Sequence, residues 1–219
     1  MKLPFSIEQF LDIFKKYNIT VFPAQLLLVL LAACVIYFAA RANKWSGKAI
    51  SFILAILWLW MGAVYHLAFF SVINKAAYGF GALFILEGIL LFIYAFKAPL
   101  FSFRLSVASV VSTVLLVYAL IIYPLLGYIA GHRYPYSPTF GLPCPTTIFT
   151  VAVFLLAVKR MPLHLIAIPL VWTIVGFSAA FTLRIYEDAM LIVSGLALVI
   201  LNLRKPKPWH LQNAALGKP

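Results

Sequence analysis

Seven apolar runs separated by short polar links occupy most of the 219-residue chain: 21–40, 49–72, 79–96, 105–130, roughly 140–158, 163–183 and 187–203. A membrane-spanning helix needs about 20 apolar residues, and the runs are of that order. Residues 4–17 follow another pattern. Ile7, Phe10, Leu11, Phe14 and Tyr17 recur at helical spacing and share one face, which predicts an amphipathic helix lying in the membrane interface. Ser6 is placed to N-cap it, with Gln9 completing a capping box and Phe5 and Phe10 at the hydrophobic-staple positions. The predicted fold is therefore an all-α membrane protein: one polytopic domain over 1–219, about seven transmembrane helices behind the interfacial helix, and a cytoplasmic tail from 204 to 219. The partner implied at once is the lipid bilayer.

One run is too short. After Pro143-Cys144-Pro145 only residues 146–158 remain before Lys159-Arg160, about 20 Å of helix against a hydrocarbon core of about 30 Å. This spacing predicts a broken or half-helix near 139–158 that begins inside the membrane, with Pro143 and Pro145 in the first turn, where proline costs no hydrogen bond. The preceding segment, HRYPYSPTFGLP (132–143), is irregular. At that depth it must be buried in protein or line a wet cavity.

Composition narrows the class. Apolar residues make up 65% and charged residues 10%, where a soluble domain carries about 25% charge; soluble, disordered and coiled-coil classes are excluded. The net charge of +12 does not imply nucleic acid, because the cations are spread among short links and form no basic face. They sort by side. Arg41, Lys44, Lys48, Lys97, Arg104, Lys159, Arg160, Arg204, Lys205, Lys207 and Lys218 fall at one end, and Lys2, Lys15, Lys16, Lys75, Arg133 and Arg184 at the other. The positive-inside rule makes the first end cytoplasmic, with the N-terminus outside. Glu8 and Asp12 ahead of the first long run argue against a signal peptide.

Few residues can carry chemistry. Glu87, in FGALFILEGILLFIY, sits about 15 Å from Lys97, near the midplane. An ionised acid there costs about 2.5–3.5 kcal/mol on insertion scales, so it must face the bundle. It is read either as a proton or cation site or as a protonated acid bonded across helices. Cys144, at the start of the half-helix, is a candidate soft-metal thiolate or a small residue in a proline turn. Cys34 reads as packing, and about 12 Å of depth separates it from Cys144, beyond disulfide reach. His66 lies near the outer boundary and looks into the bundle, whereas His132, beside Arg133, reads as solvent-facing. Arg184 is spaced to pair with Glu187 or Asp188 on a continuous helix. Together Glu87, Cys144, His66, Arg184, Glu187 and Asp188 define a candidate ligand or ion route.

Ser106, Ser109 and Thr113, and Thr173, Gly176 and Ala180, are small residues that predict close helix contacts. Pro124 and Pro169 predict kinks. No cofactor is implied: His66 and His164 lie at opposite boundaries and cannot clamp one haem, and 187–203 has no lysine for a retinal Schiff base. No hydrolase or protease constellation is visible, and the expectation is a protein that is not an enzyme.

YHLAFFSVINKAAYGFG (65–81), PTFGLPCPTTIFT (138–150) and IPLVWTIVGFSAA (168–180) resemble an uncharacterised bacterial multi-helix membrane family, a domain of unknown function. The resemblance covers nearly the whole chain and implies a bacterial inner-membrane protein of similar helix count, with no activity attached. The function expected from the residues is a small permease or channel-like transporter of an ion or small solute. The alternative is a non-transporting scaffold or sensor that uses helix 4–17 as a partner surface.

Overall fold

The computed structural model describes residues 4–96, 102–105 and 109–206. Lys2, Lys97, Ser106, Lys207 and Lys218, and with them most of the tail 204–219, lie outside the described residues. The described chain is all-helical, with two isolated β-bridges, Phe103–Ala157 and Phe140–Leu142.

The amphipathic helix is α1, Ile7–Val21. Its capping box forms as the sequence requires: Gln9 N donates to Ser6 Oγ and Ser6 N to Gln9 Oε1. The staple closes with the Phe5 and Phe10 rings stacked 5.8 Å apart. α1 runs through an 85° bend into α2, Ala24–Ala40. At 17 residues α2 is about 25 Å long, so the run 21–40 is shorter than a straight span.

Five helices among the described residues are long and apolar enough to cross a membrane. The first is α3 (Ser46–Trp60), prolonged by a π-helical stretch, Met61–Phe69, and a 3₁₀ turn to Val72. The second is α4, Ala77–Phe96. The third is α5 (Val110–Val117), which passes through a π-turn, Tyr118–Ile122, into α6 (Tyr123–Ile129). The last two are α8, Leu163–Leu183, and α9 (Met190–Leu203) with the 3₁₀ turn Tyr186–Ala189 ahead of it. Counting the bent α1–α2 pair as one span gives six. The expected count of about seven included the run 140–158 as a half-helix, and that run contributes α7, Pro143–Leu155, of 13 residues.

α7 is the centre of the bundle: every residue in it but Cys144 is buried. A half-helix enclosed in protein leaves backbone groups at both ends without intrahelical partners, and the sequence answers at each end. In its first turn Pro143 and Pro145 have no N–H to satisfy, Leu142 N donates to Thr139 O, and Thr146 N begins the ladder on Leu142 O. At the last turn Lys205 Nζ donates to Phe154 O (3.2 Å) and Leu155 O (2.8 Å), and Arg104 N donates to Leu156 O. Asn202 adds a clasp, with Oδ1 accepting from Met161 N and Nδ2 donating to Met161 O.

Small residues set the helix spacing. A methyl group on Gly62 would sit 2.9 Å from Gly81 O and from Ile85 N, so α4 and the π-stretch after α3 touch backbone to backbone there. Gly88 lies as closely against Leu59, and Gly195 against Thr173. In α5 the expectation is corrected: Thr113 is exposed and spends its hydroxyl on Ser109 O, while Ser112 is the buried small residue.

The bundle has two distinct ends. The lower holds Arg41, Lys44, Lys48, Arg104, Lys159, Arg160, Arg204 and Lys205; the upper holds α1, Lys75, the 131–142 loop and Arg184.

Candidate functional site

A cavity of about 470 Å³ opens among α1, the loop 138–142 and α8 at the upper end. Aromatic rings form most of its wall: Phe5, Phe10 and Phe14 from the α1 segment, Tyr65 and Phe70 from the end of the α3 rod, Phe80 from α4 and Trp172 from α8. α1 covers this space because its apolar face, Phe10, Ile13, Phe14 and Tyr17, turns inward onto Tyr65, Phe70, Leu142 and Leu183. The bend that places it is held by Asn18, which is fully buried. Asn18 Nδ2 donates to Pro135 O (2.7 Å) and Ser137 O (2.8 Å), and its Oδ1 accepts from Thr139 Oγ1 (2.8 Å). Gln25 Nε2 donates to Asn18 O, and Trp60 Nε1 to the Tyr17 hydroxyl.

The polar end of the cavity is assembled from four helices. Tyr123 Oη donates to Asp188 Oδ1 at 2.5 Å. The Cys144 thiol stands beside the Asp188 carboxyl and beside the Trp172 indole. Gly176 leaves room for that meeting: its Cβ position is 3.5 Å from Cys144 Sγ and 3.7 Å from Trp172 Nε1. The indole N–H is buried and makes no hydrogen bond. Among the described residues Asp188 is the one acidic or basic side chain in the cavity wall.

Behind Asp188, Glu187 Oε1 meets His132 Nδ1 at 3.0 Å, and the Tyr118 hydroxyl donates to Glu187 O. Gly127 permits the approach, since a Cβ there would lie 2.8 Å from Glu187 Oε1. Two expectations are corrected here. His132 does not face solvent; its side chain is 11% exposed, and the hydrogen bond to the Glu187 carboxylate raises its pKa above the ordinary histidine value, against the opposing effect of burial. Arg184 pairs with neither acid along a helix, because α8 ends at Leu183 and Arg184 turns left-handed (φ 59°). That turn points Arg184 outward and sends Glu187 and Asp188 in.

Beneath the cavity lie two further buried groups. The His66 ring is fully buried, 5.2 Å from the Trp172 ring and 4.7 Å from Phe84 between centroids, and neither nitrogen has a hydrogen-bond partner. Glu87 is one helical turn below Phe84 on α4, also fully buried, with neither oxygen partnered. Both face the bundle as their chemistry demands. Cys34 is half-buried and packs against the core.

The structure therefore gathers Cys144 and Asp188 at the cavity, places Glu187 directly behind them and His66 below, sets Glu87 deeper, and leaves Arg184 outside. Among the described residues no group of three or more His, Cys, Asp or Glu is placed to hold a metal ion; a soft cation at Cys144 would have Asp188 as its other ligand. Sequence reasoning passed over Tyr123, Tyr118, Tyr65 and Trp172. The first three sit in or beside the two π-helical stretches, a feature frequent at functional sites that has no signature in apolar periodicity.

Neither a curated protein nor a solved structure matches the chain. Residues 7–212, from the first residue of α1 through α9 and beyond, match a family of unknown function, and the chain belongs to that family, DUF6064.

Proposed function

We propose that this chain is a multi-pass protein of the bacterial inner membrane, its N-terminus outside and its C-terminus cytoplasmic, that takes a small solute into the upper cavity as a permease-like transporter. The observation that carries this reading is the set of orphaned polar groups stacked below the cavity. An unpartnered indole N–H borders the space, an unpartnered imidazole packs on that indole and on Phe84, and an unpartnered carboxyl, Glu87, lies one turn beyond Phe84 on α4. Buried polar groups are almost always hydrogen-bonded to protein or water. A row of exceptions leading inward from a ligand-sized cavity fits a route for protons or water beneath a solute site. The half-helix α7, starting at the cavity and ending on Lys205, matches the discontinuous helices around which transporter sites are built. The orientation rests on the lower-end cations named above.

The scaffold reading needs the apolar face of α1 for a partner. That face is covered by the bundle, which favours the cavity as the working surface.

The test uses proteoliposomes carrying an internal pH dye, challenged with cationic, neutral and anionic small solutes. Solute-dependent proton movement is expected for one charge class. It should be lost in Glu87→Gln and in Ala179→Trp, whose new ring would fill the cavity. Proton-coupled uptake retained in Glu87→Gln removes Glu87 from the mechanism, and no movement with any class refutes transport. A C-terminal reporter active only in the periplasm should stay silent; activity would invert the orientation.

A further inference from the structure

The cavity wall narrows the chemistry of the solute it can take. Among the described residues its wall includes one carboxyl, Asp188, and no lysine, arginine or histidine. The nearest imidazole, His132, is engaged by Glu187 behind the wall. Of the two Asp188 oxygens, Oδ1 accepts from Tyr123, while the residue itself borders the cavity. The same cavity wall carries Tyr65, Phe70, Phe80 and Trp172, whose rings cluster through His66: Trp172 is 5.3 Å from Phe80, Tyr65 is 5.7 Å from Phe70, and His66 lies within 6.0 Å of all four.

A positive charge is the ligand feature that both elements reward. Ring faces attract cations through their quadrupole within about 6 Å, and the effect grows when water is excluded. A single carboxyl in an apolar wall discriminates by charge, because an anion beside it is repelled and a neutral group leaves it unmatched. A hydrated metal ion gains little from rings, whereas an alkylammonium presents apolar carbon to them and its charge to the carboxyl. The volume, about 470 Å³, is within the range of small-molecule sites. The unpartnered Trp172 N–H adds a donor for a hydroxyl or ether oxygen near the cationic head.

We infer that the upper cavity binds a small organic cation, an alkylated ammonium with a short polar arm, held between the aromatic wall and the Asp188 carboxyl. This rests on the cavity being the solute site, and the test separates the two statements. The full chain in nanodiscs is titrated calorimetrically with three compounds of one shape: choline, 3,3-dimethylbutanol and 3,3-dimethylbutanoate. Choline is expected to bind at least about tenfold more tightly than the neutral isostere, with the anion weakest. Asp188→Asn should bring choline to the level of the alcohol. Ala179→Trp should abolish binding of both. Equal affinity for choline and the alcohol, with Ala179→Trp still blocking, overturns the cation inference and leaves the cavity as a binding site. Preference for choline that survives Asp188→Asn overturns the role of the carboxyl. Absence of binding by all three overturns the inference and the cavity reading together. The comparison within wild type stands even if Asp188→Asn fails to fold.

Discussion

Replacing Asn18 by alanine tests whether one side chain holds the lid of the cavity in place. Its amide donates two hydrogen bonds to loop carbonyls, Pro135 O and Ser137 O, and accepts a short one from Thr139, with a longer contact of 3.4 Å from Gln25 Nε2. Each such bond contributes about 0.5–1.5 kcal/mol net, so Asn18→Ala should cost about 1.5–4.5 kcal/mol. For a domain of this size that corresponds to a fall in melting temperature of roughly 5–15 °C. The bonds from Gln25 and Tyr134 to the Asn18 main-chain oxygen are untouched, so the joint should loosen without losing every tie. Asn18→Asp is the more discriminating variant. It keeps an acceptor for Thr139 but sets a carboxylate oxygen against two carbonyls, and it should be less stable than alanine. Intrinsic-fluorescence melting of the three proteins in nanodiscs gives the order directly. A fall of under 2 °C in Asn18→Ala, or an aspartate variant as stable as the alanine one, would refute the view that the two donated bonds fix the bend. Because Pro138 and the α1 phenylalanines border the cavity, Asn18→Ala should also weaken whatever ligand the cavity takes.

Three other outcomes follow from the packing and the charges. The His132–Glu187 pair contributes stability that is complete below the ordinary histidine pKa and is lost as pH rises through the raised value; a melting profile above neutrality should fall in wild type and flatten in His132→Ala, which should also be less stable at acidic pH. Burial lowers Lys205 to about 8, so the folded chain binds that proton less tightly than the unfolded one, and stability should rise between about pH 8 and the ordinary lysine value; a Lys205→Met variant, having no such proton, should show no rise. Gly62→Ala places a methyl 2.9 Å from Gly81 O and Ile85 N, forcing α4 off the π-stretch, and should lower the melting temperature by several degrees, whereas Gly79→Ala, with open space around it, should leave it unchanged.

What the sequence revealed was what local spacing controls. The Ser6–Gln9 box, the Phe5–Phe10 staple and the short run after Pro143 are each decided within a few residues, and each appears in the structure at the expected place. The burial of Glu87 and His66 was also legible, since a polar group in an apolar run has one tolerable direction to face. The partners of the upper acids were not. Tyr123 and Asp188 are 65 residues apart, and His132 and Glu187 are 55 apart. Spans that are apolar on every side carry no record of which face meets which neighbour, and the π-turns rotate Tyr65 and Tyr118 away from any periodic register. The expected Arg184 pair failed for a local reason: it required a continuous helix, and the left-handed turn at Arg184 broke it.

The short helix accounts for the position of the cavity. A full-length span in the place of α7 would carry its backbone ladder to the upper surface and fill the space now bordered by Trp172 and Asp188. Starting the helix at Pro143 instead opens that space, and the proline pair removes two of the N–H groups that an early start would strand. The lower end supports the same design: with α7 stopping at Leu155, Lys205 and the Arg104 backbone satisfy carbonyls that would otherwise face apolar surroundings. The two ends are therefore joined by one packed helix, buried along its length except at Cys144. A ligand that displaced Cys144 from Asp188 would press on the first turn of α7, and the far end of that helix rests on the Lys205 ammonium and the Arg104 backbone. Movement transmitted through α7 would be read at Lys205, on the side where the cations gather. Hydrogen exchange at Leu155 and Leu156, measured with and without choline, is the direct probe: a change there on occupancy of the upper cavity is the result expected of a coupled rod, and identical exchange would show that the half-helix only frames the cavity.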